Sequence, residues 1–260
     1  MDYIIDTHAH YDDEAFEKDR DELLTSLPKA GIGQIINVGA AMKGCRDSLA
    51  LSKQYDHVFA ALGVHPDDIE NLTDADMDWI RENAKDPKVV AIGEIGLDYY
   101  YDLSPRDVQR EVFRKQLVIA KEADIPMIIH ERDATGDCLE ILREFYNRGA
   151  IRSNPGVCHC CSMSPEAASE MVKMGFYIGV DGPLTFKNNK KTPEVVRNTP
   201  PDRIVIETDS PYLTPEPNRG MCNEPAFVPF VAVRLAEILD MSIEEVARIT
   251  SENGKRLYEI

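Results

Sequence analysis

The chain has 260 residues, of which 43% are hydrophobic, and its formal net charge is −17. This composition excludes a disordered chain, and the length fits one sizeable core, as in a single barrel or sandwich, or two small domains. The acidic balance argues against a broad electropositive surface of the kind that grips duplex nucleic acid.

Targeting and redox features predict a cytoplasmic protein that has no association with a membrane. No run approaches the roughly 18 consecutive apolar residues of a membrane span. The first residues include Asp2, Asp6, Asp12 and Asp13, and they lack the basic and then apolar layout of a signal peptide. The six cysteines form neither a disulfide framework nor paired Cys-x-x-Cys ligands, so they are expected to be reduced thiols.

The first predicted strand is "YIIDTHAH", residues 3–10, and it ends in a His-x-His pair. Side chains of a strand alternate between its two faces, so Asp6, His8 and His10 are expected to point to the same side. Two neighbouring imidazoles on one face can hold a metal ion. Such pairs also occur as surface or hydrogen-bonded histidines, so the pair alone does not establish a metal site.

Seven further runs rich in Val and Ile follow, separated by longer segments with helical patterning. They are "GQIINVGA", "VFAALGVHP", "VVAIGEIGLD", "PMIIHER", "GVCHCCS", "YIGVDG" and "IVIETDSP". Eight strands that alternate with helices predict an α/β fold, the (β/α)8 TIM barrel. An open doubly wound sheet would carry a glycine-rich turn after its first strand, and "DTHAHYDD" has no glycine. We therefore predict one barrel domain over residues 1–260.

Two predicted helices begin with recognisable sequence signals. Ser104 and Pro105 precede "RDVQREVFRKQLVIAKEA", which has apolar residues at helical spacing. Ser242 and Glu245 form a predicted capping box for "IEEVARITSENGKRLYEI". The segment from Pro211 to Pro225 is rich in Pro, Asn and Gly, and we predict a long loop after the eighth strand.

Polar side chains gather at the predicted carboxyl ends of the strands, where barrel enzymes build their active sites. Each of them alone also fits a helix cap or a structural histidine. The set is His8, His10, His65, Glu94, Asp98, His130, His159, Glu207 and Asp209. Burying so many imidazoles and carboxylates together would be costly without a cation, and the ligand types suit Mg, Mn or Zn. We predict a site for two divalent metal ions, with Glu94 as the bridging carboxylate.

These residues lie in motifs that resemble those of the TatD family of metal-dependent deoxyribonucleases, within the wider amidohydrolase group. The likeness covers essentially the whole chain, and the motifs stand in family order. They are "DTHAH", "GVHP", "AIGEIGLDYY", "QLVIAKEADIPMIIHERDA", "HCCS", "GPLTFKNNK", "IVIETDSPYL" and "NEP". The resemblance implies a Mg-dependent nuclease, several relatives of which trim single-stranded DNA from the 3′ end.

The resemblance also implies a role for each matched residue. The implied metal ligands are His8 and His10 for the first ion, His130 and His159 for the second, Glu94 as the bridge, and Asp209 from the eighth strand. Asp209 would also move the proton of the attacking water. His65 would contact substrate phosphate, and Glu207 would orient the metal ligands by contacting them without binding a metal ion itself.

The chain departs from the family pattern at five positions. Where the family shows "HSRDA", "HCFSG" and "RGKRNEP", this chain has "HERDA", "HCCSM" and "RGMCNEP". The changed residues are Glu131, Cys161, Met163, Met221 and Cys222. The last two replace a basic pair and so remove positive charge from the substrate face. Arg132, Lys187, Asn218 and Arg219 remain as predicted phosphate contacts, although each also fits an ordinary surface residue.

Two enzymatic functions are compatible with these residues. The first is a phosphodiesterase acting on single-stranded DNA ends, in which Asp209 and Glu94 are the catalytic carboxylates. The second is hydrolysis of a carbonyl bond, such as an amide or the ester of an aminoacyl-tRNA, which the loss of the basic pair favours. A non-enzymatic binding protein is a third interpretation, and the complete ligand set argues against it. The sequence indicates no obligate protein partner.

Overall fold

The eight apolar runs form eight parallel strands in the computed structural model, which describes residues 4–260. The strands are β1 (Ile4–Ala9), β2 (Ile32–Val38), β3 (Val58–Leu62), β4 (Val89–Asp98), β5 (Met127–Arg132), β6 (Gly156–Cys158), β7 (Tyr177–Val180) and β8 (Ile204–Ile206). Each strand pairs in parallel with the next along the chain. The prediction of a (β/α)8 barrel is confirmed, and the predicted first residue of β1, Tyr3, lies outside the described residues.

The connections within residues 4–260 contain nine α-helices. They are α1 (Arg20–Ser26), α2 (Met42–Gln54), α3 (Asp74–Asn83), α4 (Arg106–Ala123), α5 (Thr135–Asn147), α6 (Pro165–Lys173), α7 (Lys191–Asn198), α8 (Val228–Leu239) and α9 (Ile243–Tyr258). Helix α4 begins after Pro105 as predicted, and the Ser242 hydroxyl accepts the Glu245 N–H at 3.1 Å in front of α9. None of these helices combines the length and apolar character needed to cross a bilayer.

The apolar residues of the strands divide between two faces of the sheet. In β2, Ile35 packs toward the helices, whereas Ile36 and Val38 belong to a smaller cluster with residues of β3 to β8. This alternation follows from the two-residue period of a strand, so the smaller cluster fills the barrel interior. Apolar side chains occupy the interior along its length, and the polar side chains collect at the carboxyl ends of the strands.

The barrel closes between β1 and the segment that follows β8. The Asp209 N–H donates to the His8 carbonyl at 2.9 Å, and the His10 N–H donates to the Ser210 carbonyl at 2.8 Å. The residues that join the first strand to the last are therefore predicted site residues and their neighbours. Barrel closure and site assembly occur at the same place in the fold.

The last helix also holds the first strand. The buried Tyr258 hydroxyl of α9 donates to the Thr7 carbonyl at 3.0 Å. Gly254, one turn earlier, packs so closely that an added Cβ would lie 3.2 Å from the Thr7 side chain. The last turns of α9 thus fix β1, and Tyr258 also belongs to the smaller apolar cluster, while the segment after β8 fixes β1 along its edge.

Candidate metal centre

The His-x-His pair of β1 opens into the barrel mouth. The pairing of β1 with β2 shifts register between Asp6 and Ala9, and the Nε2 atoms of His8 and His10 lie 3.1 Å apart. The Nδ1 atom of His10 lies 2.8 Å from the Val38 carbonyl, to which it donates, so Nε2 is the nitrogen that faces the centre. The two imidazoles share one side of the strand, as their spacing predicts.

Glu94, from the middle of β4, lies between two groups of imidazoles. Its Oε2 atom is 3.5 Å from His8 Nε2 and 3.9 Å from His10 Nε2. Its Oε1 atom is 2.7 Å from His130 Nδ1 and 3.8 Å from His159 Nε2. Burial alone would raise the pKa of Glu94, but His159 and the other imidazoles hold it well below its usual value. Glu94 is therefore an ionised carboxylate with one oxygen directed to each group.

Asp209 closes the first group from the β8 side. Its Oδ1 atom lies 3.5 Å from both His10 Nε2 and His159 Nε2, and 3.7 Å from His8 Nε2. Its backbone has φ 58°, a left-handed conformation that aspartate and asparagine adopt more readily than most residues. Burial favours the neutral acid, yet the His10 and His159 imidazoles lower the pKa of Asp209.

Glu207 sets the orientation of His159. Its Oε2 atom accepts from the Cys160 N–H and lies 3.0 Å from His159 Nδ1, so His159 turns Nε2 toward the centre. The His159 ring also stacks on His8, with centroids 3.5 Å apart. Burial would lower the pKa of His159, but the Glu207 carboxylate raises it well above the ordinary value. Glu207 thus holds His159 without reaching the centre itself.

Gly179 in β7 makes room for the Glu207 carboxylate, because a Cβ at this position would collide with both oxygens. We expect Gly179→Ala to displace Glu207, to misorient His159 and to weaken divalent metal binding about 10- to 100-fold. Isothermal titration of the metal-free protein with Mn²⁺ measures the change. Gly136→Ala in α5 is the control, since nothing lies within 4 Å of the added methyl group. Equal affinity in the two variants would contradict the orienting role of Glu207.

A second group of residues surrounds Oε1 of Glu94. His130 Nε2 lies 3.1 Å from Asp98 Oδ2, and His65 Nε2 lies 4.0 Å from Glu94 Oε1. The His65 Nδ1 atom accepts the Asp67 N–H at 3.2 Å, so the proton of the neutral ring is on Nε2. Burial and the neighbouring His130 lower the pKa of His65 to about 3. His65 is therefore a neutral N–H donor directed into the mouth.

The arrangement of these donors fits divalent cations. Ligand atoms bound to one such ion at about 2.0–2.2 Å lie about 3–4 Å from one another. Three sets with atoms all within 4.8 Å of one another meet at the mouth, namely His8–Glu94–His159, His8–His10–Asp209 and His65–Asp98–His130. Burial opposes protonation of the imidazoles, yet Asp209 raises the pKa of His10 to about 9 and Asp98 that of His130 to about 9. These carboxylates therefore need positive charge beside them. Protons on the imidazoles would supply that charge, and bound metal cations would take the place of those protons.

Thiolates do not contribute to this ligand set. Cys160 follows His159, and burial raises the pKa of its thiol well above the ordinary value. Cys161 and Met163, two of the departures from the family pattern, are buried among apolar side chains. A third departure, Glu131, stabilises the turn in front of α5, because its Oε1 atom accepts the Ala134 N–H at 2.8 Å. The imidazole and carboxylate chemistry of the centre is unchanged by these three residues.

The predicted phosphate contacts lie around the rim of the mouth and not on its floor. Arg132 ends β5, two residues after His130, and its guanidinium lies 4.0 Å from the Tyr100 ring centre. Lys187 is exposed in the segment after β7. Arg219 is exposed in the long loop after β8 and lies 4.1 Å from the Phe186 ring centre. Asn218 belongs to the same loop, and so do the exposed Met221 and Cys222.

One buried carboxylate beside the centre was not among the predicted site residues. Asp181 directly follows β7 and is 1% exposed, and neither of its oxygens has a hydrogen-bond partner among the described residues. Burial, followed by the charge of Asp209, raises its pKa to about 8, so it is largely protonated at neutral pH. Its place directly after the seventh strand is the available sequence signal, since most of the other site residues lie at or just after the end of a strand.

The comparisons with known proteins agree over the full length of the chain. A sequence model of the family described as TatD related DNase matches residues 5–259. The metal-dependent hydrolase YabD of Bacillus subtilis is 46% identical over 257 residues, which cover 99% of each protein. The metal-dependent hydrolase YcfH of Escherichia coli is 36% identical over 261 residues, with 99% of this chain and 96% of YcfH covered. The crystal structure of YjjV, a TatD homologue from E. coli, superposes with a TM-score of 0.91 at 30% identity and covers 99% of this chain and 98% of YjjV.

Proposed function

We propose that this chain removes nucleotides from the 3′ end of single-stranded DNA. The proposal starts from its family, because the chain belongs to the TatD-related DNase family of metal-dependent hydrolases. The observation that carries this proposal is the position of Glu94. One oxygen faces His8 and His10, and the other faces His130 and His159. A carboxylate placed in this way suits a pair of cations, the arrangement that many phosphodiesterases use.

The proposed ligands are His8, His10, Glu94 and Asp209 for one ion, and Glu94, His130 and His159 for the other. Two divalent cations, Mg, Mn or Zn, would supply Lewis acidity toward the phosphoryl oxygens and a nucleophilic water at neutral pH. The chain itself supplies the geometry. Glu207 and the Val38 carbonyl fix the ring orientations of His159 and His10, so the nitrogen donors are in place before substrate arrives.

Asp209 is the proposed proton acceptor for the attacking water. Its carboxylate faces the imidazoles of His8, His10 and His159, and its pKa lies below the ordinary value. Such a base is ionised at neutral pH, and its contacts with three proposed ligands support this role, because an attacking water would be activated beside them. After the P–O bond breaks, the same group can deliver the proton to the leaving 3′ oxygen.

His65 is the proposed donor to a phosphoryl oxygen. Its proton is on Nε2, and its low pKa keeps the ring neutral, so it donates a hydrogen bond without adding positive charge. The cations at the rim, Arg132, Lys187 and Arg219, are placed to meet the phosphates of the neighbouring nucleotides. These rim residues make an oligonucleotide a better fit than a small phosphodiester.

A second candidate function is hydrolysis of a carbonyl ester, such as that of an aminoacyl-tRNA. Met221 is 59% exposed at the rim, and Cys222 beside it is also exposed. These side chains stand where many relatives have a basic pair, and they offer an apolar surface to a substrate in place of charge. The same centre could direct water to a carbonyl carbon.

The test is the degradation of a 5′-labelled single-stranded oligonucleotide with added Mg²⁺. We expect a ladder that shortens from the 3′ end, and we expect it to disappear with EDTA and with the variant His159→Ala. Cleavage that persists in the variant would indicate a contaminating nuclease. An intact oligonucleotide combined with turnover of an aminoacyl ester would contradict the nuclease and support the second function. Circular dichroism of the variant confirms that it is folded.

A further inference from the structure

Two consecutive tyrosines at the end of β4 expose most of their rings to solvent. Tyr100 is 58% exposed and Tyr101 is 55% exposed, and their ring centres lie 5.0 Å apart. The side chain of the preceding residue, Tyr99, is instead fixed by a hydrogen bond, because its hydroxyl donates to Asp137 at 2.6 Å. Neither the Tyr100 nor the Tyr101 hydroxyl has a hydrogen-bond partner among the described residues. Large exposed rings at an enzyme's mouth point to a ligand that covers them.

A single carboxylate fixes this tyrosine pair to the metal centre. Asp98 Oδ1 accepts the backbone N–H of Tyr100 at 2.9 Å and that of Tyr101 at 2.8 Å. Its other oxygen lies 3.1 Å from His130 Nε2. Because these bonds use the backbone of the tyrosines, they set the position of the rings relative to the centre and leave the ring surfaces that Arg132 does not cover open to a ligand.

Arg132 adds a cation to the exposed rings. Its guanidinium carbon lies 4.0 Å from the Tyr100 ring centre and 4.7 Å from that of Tyr101. Nearby Arg106 and Arg110 are ion-paired with carboxylates, whereas no carboxylate in the described part of the chain pairs with Arg132. A guanidinium held on aromatic faces keeps N–H groups available for phosphate.

A third exposed ring stands across the mouth. Tyr212, after β8, is 53% exposed, and its ring centre lies 6.1 Å from that of His10. In an eight-stranded barrel the β8–β1 side is opposite the β4–β5 side, so exposed rings flank the proposed metal ligands on both sides. Rings combined with unpaired cations are the surface that binds single-stranded nucleic acid, because every unpaired base offers a face for stacking.

We infer that Tyr100, Tyr101 and Arg132 form a stacking platform for an unpaired nucleobase of the substrate strand. The two rings stand at 81° to each other, so the base stacks on the exposed face of one ring with the other ring beside its edge, and Arg132 binds the phosphate that adjoins it. The inference rests on the proposed nuclease function and goes beyond it, because it assigns the recognition of bases to residues outside the metal centre. A duplex end cannot use the platform unless its terminal bases separate.

The test compares two substrates in the double variant Tyr100→Ala/Tyr101→Ala. One is a single-stranded oligonucleotide, and the other is methyl 4-nitrophenyl phosphate, a diester without a base. We expect KM for the oligonucleotide to rise about 10-fold or more, as alanine substitution of stacking rings does, with kcat little changed. We expect kcat/KM for the small diester to stay within about twofold. The double variant Tyr100→Phe/Tyr101→Phe keeps the rings and should keep the wild-type KM.

Tyr146→Ala is the matched control, since Tyr146 is 47% exposed near the end of α5, at the opposite end of the barrel. An unchanged KM for the oligonucleotide in the alanine double variant would overturn the platform. A parallel loss on both substrates would also overturn it, because the tyrosines would then act only through Asp98. Wild-type protein that cleaves the small diester but no oligonucleotide would instead contradict the proposed function, and the platform would fall with it.

Discussion

Glu94→Gln is expected to lower kcat/KM at least about 1000-fold and to remove most of the bound metal. A thousandfold corresponds to about 4 kcal/mol of transition-state stabilisation, within the several kcal/mol that metal ions contribute. Glutamine has nearly the shape of glutamate, so packing is kept. The change removes the charge that both groups of imidazoles face, and it turns an amide NH₂ toward one of them. The proposed bridging role would use both oxygens, so one substitution is expected to affect both proposed ions.

Metal content by mass spectrometry and single-turnover kinetics measure the two effects. The matched control is Glu131→Gln, because Glu131 is a 6% exposed carboxylate adjacent to His130 that binds the turn in front of α5 and faces away from the centre. We expect this control to lose some stability and to keep its metal. Full metal occupancy and activity in Glu94→Gln would exclude Glu94 as a ligand. Loss in both variants would point to a general effect of a lost buried charge.

Asp209→Asn is expected to lower kcat by about 100- to 10,000-fold while KM for the oligonucleotide changes little. Asparagine tolerates the left-handed φ of 58° at this position, so the barrel seam is preserved. The amide retains an oxygen that can face the imidazoles, but it cannot accept a proton from water. The loss therefore falls on the chemical step and not on substrate binding.

The pH dependence of kcat separates this role from a structural one. Since His10 and His159 hold the pKa of Asp209 below its ordinary value of 3.8, the wild-type base stays ionised as the pH falls to about 4. Bound cations extend that range further down, so wild-type kcat should not fall near pH 5 through this group. Asp240→Asn, at an exposed left-handed position that ends α8, is the control for the substitution. Wild-type kcat in Asp209→Asn would rule out the proton-transfer role.

The barrel itself was predictable because its strands carry a strong local signal. A run of Val and Ile predicts β4 at its observed bounds, Val89–Asp98. Pro105 and the helical spacing of the apolar residues after it likewise predict the observed start of α4 at Arg106. Strand ends were less predictable. Strand β8 ends at Ile206. The backbone N–H of Thr208, two residues later, donates to the Asp6 side chain of the first strand. A bond between residues so distant in sequence leaves no local pattern.

The residues of the centre were predictable from their positions, and their grouping was not. Each His, Asp or Glu at a strand end could be named, because parallel strands bring their carboxyl ends together. Which oxygen of Glu94 faces which imidazole depends on distances across the barrel. The sequence "DYYYD" likewise gives no reason for Tyr99 to be tied to Asp137 while Tyr100 and Tyr101 remain exposed. Asp181 lies directly after β7, so the same positional rule covers it.

The seam between the first and last strands has a consequence for the synthesis of the protein. Thr7 donates to the Ile206 carbonyl, a bond between residues 199 positions apart, and His8 accepts from Asp209 at the same edge. During synthesis the histidine pair is translated about 200 residues before the opposing carboxylate, which is absent until translation has passed position 209. Helix α9, which secures β1 through Tyr258, emerges later still. The proposed centre therefore assembles only after Asp209 has been translated, and a chain cut short by a premature stop before Asp209 carries the histidines without a complete site.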